Sequence, residues 1–220
     1  MAWNRRRAES AKMAAMGIYR ERVLPHLVEL TCGGPGFERW RARAVDGLAG
    51  SVVEIGFGSG LNVPVYPEAV TEVFAVEPAG EARRMAADRV SASAIPVTHV
   101  GLDGQALPLA DGSCDAALST FTLCTIPDVG AALAELRRVL RPGGRLHFLE
   151  HGLAPDPGIA RWQRRLEPTQ KRLADGCHLT RDPVELVRRA GFDLVRHDSR
   201  YAKGPKPWTW MTTGVAESPG

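Results

Sequence analysis

The sequence predicts an α/β fold in which a mostly parallel sheet carries helices on both faces. Short β-branched runs alternate with helical patterns along most of the chain, an order typical of parallel sheets. The first of these runs ends in a glycine-rich loop, as the first strand of an open ligand-binding sheet does. With 220 residues the chain can bury one sizeable core. We therefore expect a single domain, residues 1–220.

The expected strands and helices alternate in order along the chain. Strands are expected at 51–55, 70–77, 95–100, 115–120, 145–150 and 192–199. Trp208 and Trp210, at alternate positions, indicate a seventh strand near the end. Helices are expected at 80–90, 129–140 and 182–190, and Pro142-Gly143-Gly144 should stop the second of them. Residues 51–150 form the predicted core, and residues 182–216 supply a C-terminal helix and strands.

Two segments fall outside this alternation and are expected to cap the sheet. Residues 8–30 have apolar side chains at helical spacing, and Pro25 should kink or divide that helix. A second helix is expected at 37–48 after a glycine-rich break, so residues 1–48 form an N-terminal helical cap. The cap insertion, residues 155–180, is rich in arginine.

Composition and charge exclude several functional classes. The net charge of +3 and the pI near 8.8 do not indicate the clustered positive surface of a nucleic-acid-binding protein. The most apolar stretch, 116–136, contains Pro127 and Asp128, so no integral membrane segment is expected. Four cysteines without paired spacing predict a reducing, cytoplasmic location. The oligomeric state stays open.

The loop after the first predicted strand has glycine at every second position. Glycine permits positive φ and lets a ligand approach the backbone, and ligands of open α/β sheets bind beyond the carboxyl ends of the strands. A dinucleotide would require G-x-G-x-x-G, which this loop lacks. The pattern instead indicates a nucleoside joined to an amino acid, whose ammonium group could face Glu54, directly or through water. The predicted contacts are Glu54, Gly56, Phe57, Gly58 and Gly60, and a tight turn without a ligand is the alternative.

Two further segments follow neighbouring strands and suit the same ligand. Glu77, followed by Pro78, ends the second strand, where an acidic residue can accept hydrogen bonds from both ribose hydroxyls. Leu102, Asp103 and Gly104 follow the third strand, where the aspartate could accept from an adenine amino group and the leucine could pack on the ring. Asp-Gly is also a common turn pair, which is the alternative for this segment.

From Val52 to Glu150 these motifs resemble those of class I S-adenosylmethionine-dependent methyltransferases. Glu54 to Gly60 is similar to the first motif of that family, and Val76-Glu77-Pro78 to the second. Glu135 to Gly144 is similar to the family's passage from a helix into the fifth strand. The resemblance implies a Rossmann-like fold, S-adenosyl-L-methionine as cofactor, S-adenosyl-L-homocysteine as product, and a small-molecule methyl acceptor.

A closer resemblance involves the cap insertion. Leu149-Glu150-His151, Leu166 to Lys171 and Asp175 to Arg181 resemble the methyltransferase-like group that includes alkyl thiol methyltransferases. The resemblance favours a thiol acceptor and leaves oxygen, nitrogen and carbon acceptors open. Those animal enzymes begin with an apolar membrane anchor, whereas this chain begins with a charged amphipathic helix, so membrane attachment is not carried over.

The acceptor pocket is expected at the carboxyl ends of strands four and five and in the caps. Its predicted residues are Tyr19, Phe121, Thr122, Trp162, Glu167 and His178, with Thr120 on the cofactor side. His151 is the candidate general base because imidazole titrates near neutral pH, and a hydrogen-bonded histidine that anchors the cap is the alternative. No metal is expected, because His147 and His151 stand on a strand without a third ligand.

The sequence bears on three alternative functions or roles. Cys177-His178 is interpreted as a packing pair rather than a nucleophile. A non-catalytic S-adenosylmethionine-binding protein would keep the same cofactor residues. An NAD-type oxidoreductase is disfavoured by the alternating glycines and by the lack of a Tyr-x-x-x-Lys pair.

Overall fold

A computed structural model describes residues 17–219, and they contain one seven-stranded sheet. The strands are β1 (Gly50–Ile55), β2 (Val70–Val76), β3 (Val97–Gly101), β4 (Cys114–Thr120), β5 (Leu140–His151), β6 (Asp193–Tyr201) and β7 (Trp210–Glu217). Their order across the sheet is β3-β2-β1-β4-β5-β7-β6. The pairs from β3 to β5 are parallel, and β7 is antiparallel to both neighbours. The prediction of a mostly parallel, seven-stranded sheet is confirmed.

Helices connect the strands and form the two caps. They are α1 (Leu24–Cys32), α2 (Pro35–Ala44), α3 (Gly80–Ser91), α4 (Val129–Val139), α5 (Pro157–Leu173), α6 (Pro183–Arg189) and the single turn α7 (Lys206–Thr209). The start of α4 shows how local sequence sets a helix end. The Asp128 carboxylate accepts a hydrogen bond from the Ala131 N–H at 2.9 Å and so caps one unpaired donor.

The core lies on both faces of the sheet because successive strand residues point to opposite sides. On one face Val53 and Ile55 of β1 pack with the apolar side of α4. On the other face Val52 packs with Ala86 of α3. The helices predicted on both faces are therefore present, and together they hold the strand ends rigidly in place.

The N-terminal helices differ in part from the prediction. Residues 8–16 of the predicted helix at 8–30 lie outside the described residues. A π-helical turn, Tyr19–Val23, directly precedes α1, at the position where Pro25 removes an N–H donor from the helix. The helix expected at 37–48 is instead Pro35–Ala44, because proline suits a first helical turn and the chain turns at Gly47, with φ of 79°.

Two boundaries in the second half were predicted wrongly. β5 begins at Leu140 rather than at residue 145, since a register shift in its pairing with β4 accommodates Pro142-Gly143-Gly144. Trp208 belongs to the helical turn α7, so only Trp210 lies in the seventh strand. Among the described residues, no helix combines the length and the apolar character that crossing a membrane requires.

Candidate active site

The candidate cofactor residues meet at one edge of the sheet. Ile55 at the end of β1 pairs with Val76 of β2 and with Ser119 of β4, and Val76 pairs with Gly101 of β3. The loops that follow these four strands therefore emerge side by side. This edge, at the carboxyl ends of the parallel strands, is where open α/β sheets bind ligands.

Two glycines of the first loop have different roles. Gly56 has φ of 68°, and a Cβ atom there would overlap the Thr122 side chain, so glycine lets the loops after β1 and β4 touch. Gly58 has φ of 58°, and a Cβ atom there would meet only the Gly56 carbonyl oxygen, at 3.8 Å. The backbone at Gly58 is thus open to an approaching ligand.

The carboxylate of Glu77 lies beside that open backbone. Its Oε2 accepts a hydrogen bond from the Gly58 N–H at 2.8 Å, and its Oε1 accepts one from the Ala79 N–H at 2.8 Å. Burial raises the pKa of Glu77, and the two backbone hydrogen bonds oppose that rise. Pro78, next along the chain, is exposed. A carboxylate held in this way by backbone donors can accept further hydrogen bonds from the hydroxyl groups of a ligand.

The segment after β3 borders the same edge. Leu102 is 57% exposed, which leaves its side chain free for a flat apolar ligand. The Asp103 Oδ1 accepts hydrogen bonds from the backbone and side-chain nitrogens of Gln105, at 2.8 and 3.0 Å. A Cβ atom on Gly104 would stand 3.5 Å from Ile55, so this segment packs over the end of β1.

Three predicted cofactor residues are oriented differently from the expectation. The Phe57 side chain is buried and packs edge-on against His99, so only its backbone can face a ligand. The Thr120 hydroxyl accepts hydrogen bonds from Arg41 and Asn62, both at 3.0 Å. Glu54 is fully buried beneath the loop with both carboxylate oxygens hydrogen-bonded. Any effect of Glu54 on a ligand would be exerted through its charge and its neighbours.

A buried polar network around Glu54 was not predicted. Glu54 accepts hydrogen bonds from Asn62 Nδ2, at 2.7 Å, and from the Tyr66 hydroxyl, and Arg41 donates to Asn62 Oδ1 at 3.0 Å. Burial raises the pKa of Glu54 to about 7, against the opposing hydrogen bonds and the positive charge of Arg41. Arg41 comes from α2, so no sequence spacing could have linked it to this network.

The turn after β4 is strained and firmly held. Phe121 has φ of 55°, which is rare for a residue with a side chain, and its ring contacts Phe37 edge-on at 5.5 Å. Glu150 is fully buried, and its Oε1 accepts hydrogen bonds from the N–H groups of Thr122 and Leu123, at 2.9 and 3.0 Å. Strain of this kind is common at functional sites.

His151 lies among sulfur atoms. Its Nε2 is 3.1 Å from the Cys177 Sγ, and Cys177 donates to the Cys124 Sγ at 3.8 Å. Burial lowers the pKa of His151, but the hydrogen bond to Cys177 and the charges of Cys177 and Glu150 outweigh it and raise the pKa. His147 is separate, since its Nδ1 is 2.8 Å from the Ala44 carbonyl oxygen. The cysteines were not among the predicted site residues, although the pair Cys177-His178 was noted.

The structure brings some of the predicted cap residues together and leaves one apart. Glu167 pairs with His178 across 3.3 Å and accepts a hydrogen bond from the Thr180 N–H at 2.8 Å. Tyr19 donates to the Leu173 carbonyl oxygen at 2.6 Å and so joins the N-terminal helix to α5. Trp162 is 56% exposed on the outer face of α5, which does not support its predicted role in acceptor binding.

Comparison with known proteins agrees with this geometry. Residues 53–148 match the methyltransferase domain family. The chain is 34% identical to thiol S-methyltransferase TMT1B of Rattus norvegicus, over 74% of this chain and 67% of the relative. It is also 34% identical to the ubiquinone/menaquinone biosynthesis C-methyltransferase UbiE of Syntrophotalea carbinolica, over 72% and 77%. A Mesorhizobium loti S-adenosylmethionine-dependent methyltransferase shares the fold, with a TM-score of 0.62, 18% identity and coverage of 84% and 99%.

The fold and the glycine–carboxylate edge define a class I methyltransferase with a Rossmann-like sheet. The chain belongs to the S-adenosylmethionine-dependent methyltransferase family that includes these relatives. The residues present fit S-adenosylmethionine, because the open backbone at Gly58 and the Glu77 carboxylate stand together. The prediction of an S-adenosylmethionine-dependent methyltransferase is confirmed.

Proposed function

We propose that this methyltransferase transfers a methyl group to the sulfur of a small thiol. The cap residues carry the proposal. Glu167 and His178 lie in the two cap segments that resemble alkyl thiol methyltransferases, and they pair with each other. The backbone N–H of His178 donates to the Cys124 carbonyl oxygen at 2.8 Å, which ties the cap to the loop after β4. The identity to a thiol S-methyltransferase, over 74% of the chain, supports the same acceptor.

The cofactor would be held by the loops at the edge of the sheet. Backbone groups of Gly56, Phe57, Gly58 and Gly60 would contact its amino-acid part, and Glu77 its ribose. Pro78, Leu102, Asp103 and Gly104 would border its adenine, with Glu54 and Thr120 supporting the loop from below. When bound, S-adenosylmethionine supplies a methyl group on a positively charged sulfur atom.

On the acceptor side the protein mainly has to orient a nucleophile and exclude water. The strained Phe121 and the neighbouring Thr122 would border the acceptor, with Tyr19, Glu167 and His178 closing the cap. A thiol with a pKa near ~8.5 is already partly ionised at neutral pH, so it needs little base catalysis. His151 stays the candidate base for an acceptor that needs one, and its Nε2 lies 3.1 Å from the Cys177 Sγ.

A methyl-transfer screen tests the proposal directly. Labelled S-adenosylmethionine is supplied with matched sets of thiols, phenols and amines, and label in each product is counted. We expect transfer to at least one simple thiol. Transfer to phenols or amines but to no thiol would refute the thiol assignment. Binding of S-adenosylmethionine, measured separately by calorimetry, distinguishes an inactive acceptor set from an inactive protein.

A carbon acceptor is the second candidate. It is favoured by the 34% identity to a C-methyltransferase of ubiquinone/menaquinone biosynthesis, which covers 77% of that relative. A small quinol added to the same screen tests it. Label that resists mild thioether-cleaving conditions and resides on the quinol ring would favour the carbon acceptor.

We also propose that the enzyme acts in the cytoplasm on a small molecule rather than on nucleic acid. All four cysteines are free, as expected of a reducing compartment. The modest net charge of +3 gives no strong attraction for phosphate backbones. Fractionation of the native cells, with activity measured in each fraction, tests the location.

A further inference from the structure

We propose that Cys124, His151 and Cys177 form a binding site for a thiophilic metal ion of the zinc class, with one coordination position left for an external thiolate. The ligand atoms of these three residues all lie within 4.8 Å of one another. The sequence argued against a metal because it offered no third ligand near His151. The fold supplies that ligand set from residues 53 positions apart.

The distances suit tetrahedral zinc. Two sulfurs bound at ~2.3 Å each would stand roughly 3.8 Å apart, and the two Sγ atoms are 3.8 Å apart. A ring nitrogen bound at ~2.0 Å would stand about 3.5 Å from each sulfur. The His151 Nε2 is 3.1 Å from the Cys177 Sγ, a few tenths of an ångström from that spacing, and it lies within 4.8 Å of the Cys124 Sγ.

The loop that carries Cys124 is already fixed. Arg181 donates to the carbonyl oxygens of Leu123 and Ile126, at 2.6 and 2.8 Å. From the other side, the Glu150 carboxylate accepts from the Leu123 N–H at 3.0 Å. A metal ion would therefore find Cys124 in place without having to order the loop.

Polar groups here lack partners within the described part of the chain. His151 Nδ1 and Glu150 Oε2 are both buried with no hydrogen-bond partner. They cannot satisfy each other readily, because adjacent strand residues point to opposite faces.

The inference that the acceptor thiol binds at the remaining coordination position rests on the proposed function. Catalytic zinc sites keep three protein ligands and an open fourth position. Cys124 and Cys177 are 4% and 7% exposed, and His151 is partly exposed, so solvent reaches this group of residues at the histidine. A thiol bound there would release its proton to solvent and stay as thiolate, the form that accepts a methyl group.

Cobalt(II) spectroscopy on fully reduced protein tests the metal site. We expect one Co²⁺ per chain with a thiolate-to-cobalt charge-transfer band. Cys124→Ser and Cys177→Ser should each weaken binding by at least about tenfold, since loss of an outer-shell partner alone costs 10- to 100-fold. Cys114→Ser is the matched control, because Cys114 is also buried but lies at the opposite end of β4, and it should bind cobalt normally. No band from the wild type, or an unchanged band in both ligand variants, would overturn the site.

A second measurement needs no variant. Zn²⁺ should slow alkylation of Cys124 and Cys177, read by mass spectrometry, and leave Cys32 unaffected; equal rates with and without Zn²⁺ would overturn the site. Adding a simple alkane thiol should shift the cobalt spectrum, and an unchanged spectrum would refute the open position. Because these readouts require no methyl transfer, the metal site and the proposed acceptor can fail separately.

Discussion

Replacing Glu77 with alanine should weaken S-adenosylmethionine binding strongly while the protein stays folded. The carboxylate stands beside the open backbone of Gly58 and accepts a hydrogen bond from its N–H at 2.8 Å. Without it, two ribose hydroxyls would lose a charged acceptor at a water-poor edge. Glu77→Gln keeps the shape but removes the charge, so we expect an intermediate loss.

The size of the effect follows from the hydrogen bonds involved. A hydrogen bond to a charged group contributes roughly 1.5–3 kcal/mol. The two Glu77 oxygens already accept hydrogen bonds from the Gly58 and Ala79 N–H groups at 2.8 Å. Each ribose hydroxyl would share its acceptor with one of these donors, so we use the lower part of that energy range. Two hydroxyls then account for about 3–4 kcal/mol, which is roughly a 140- to 700-fold increase in Kd.

Isothermal titration calorimetry near neutral pH measures this change. Glu72→Ala is the matched control, because Glu72 lies on the same strand but at its other end, opposite Ser51. Thermal melting without cofactor checks that each variant folds. A Kd for Glu77→Ala equal to that of the wild type, in a protein that melts normally, would refute the placement of the ribose.

Four further predictions concern the neighbouring residues. Gly56→Ala should lower the melting temperature, because its Cβ overlaps Thr122, and adding Thr122→Gly should restore part of the loss; no recovery in the double variant would contradict the packing argument. Gly58→Ala has open space, so it should cost only about 1–2 kcal/mol of backbone strain while weakening cofactor binding measured by calorimetry. Glu54→Gln should make the free energy of unfolding less dependent on pH. The pKa of Glu54 is raised to about 7 in the folded protein, so its stabilising contribution is fully present below pH ~4.5 and is lost as the pH rises through ~7. The free energy of unfolding of the wild type should fall by roughly 3 kcal/mol over that range. Urea unfolding of both proteins across that range measures the difference, and parallel curves would contradict it. Arg41→Met should destabilise the fold by about 1–3 kcal/mol, since the buried Asn62 Oδ1 loses its donor while Thr120 keeps the one from Asn62, and urea unfolding checks this as well.

The sheet could be predicted closely because its determinants are local. β-branched runs and a helical apolar period each act over a few residues, so the strand at Cys114–Thr120 and the helix at Val129–Val139 were placed within one residue. The errors fall where a tertiary contact overrides that local pattern. At Pro142-Gly143-Gly144 the chain is drawn into β5 by pairing with β4 and β7, which a helix-stop signal cannot report.

The two halves of the site differ in predictability for the same reason. The cofactor edge uses backbone and strand-end acids, so each of its parts is a short motif and the fold only has to place the strands side by side. The proposed acceptor side would be assembled from distant segments: Cys124 and Cys177 meet only because the cap packs against the loop after β4. No spacing along the chain encodes that meeting. Chemistry specific to this enzyme is therefore to be sought where the cap meets the sheet, since a chain with the same glycine loop could place quite different groups there.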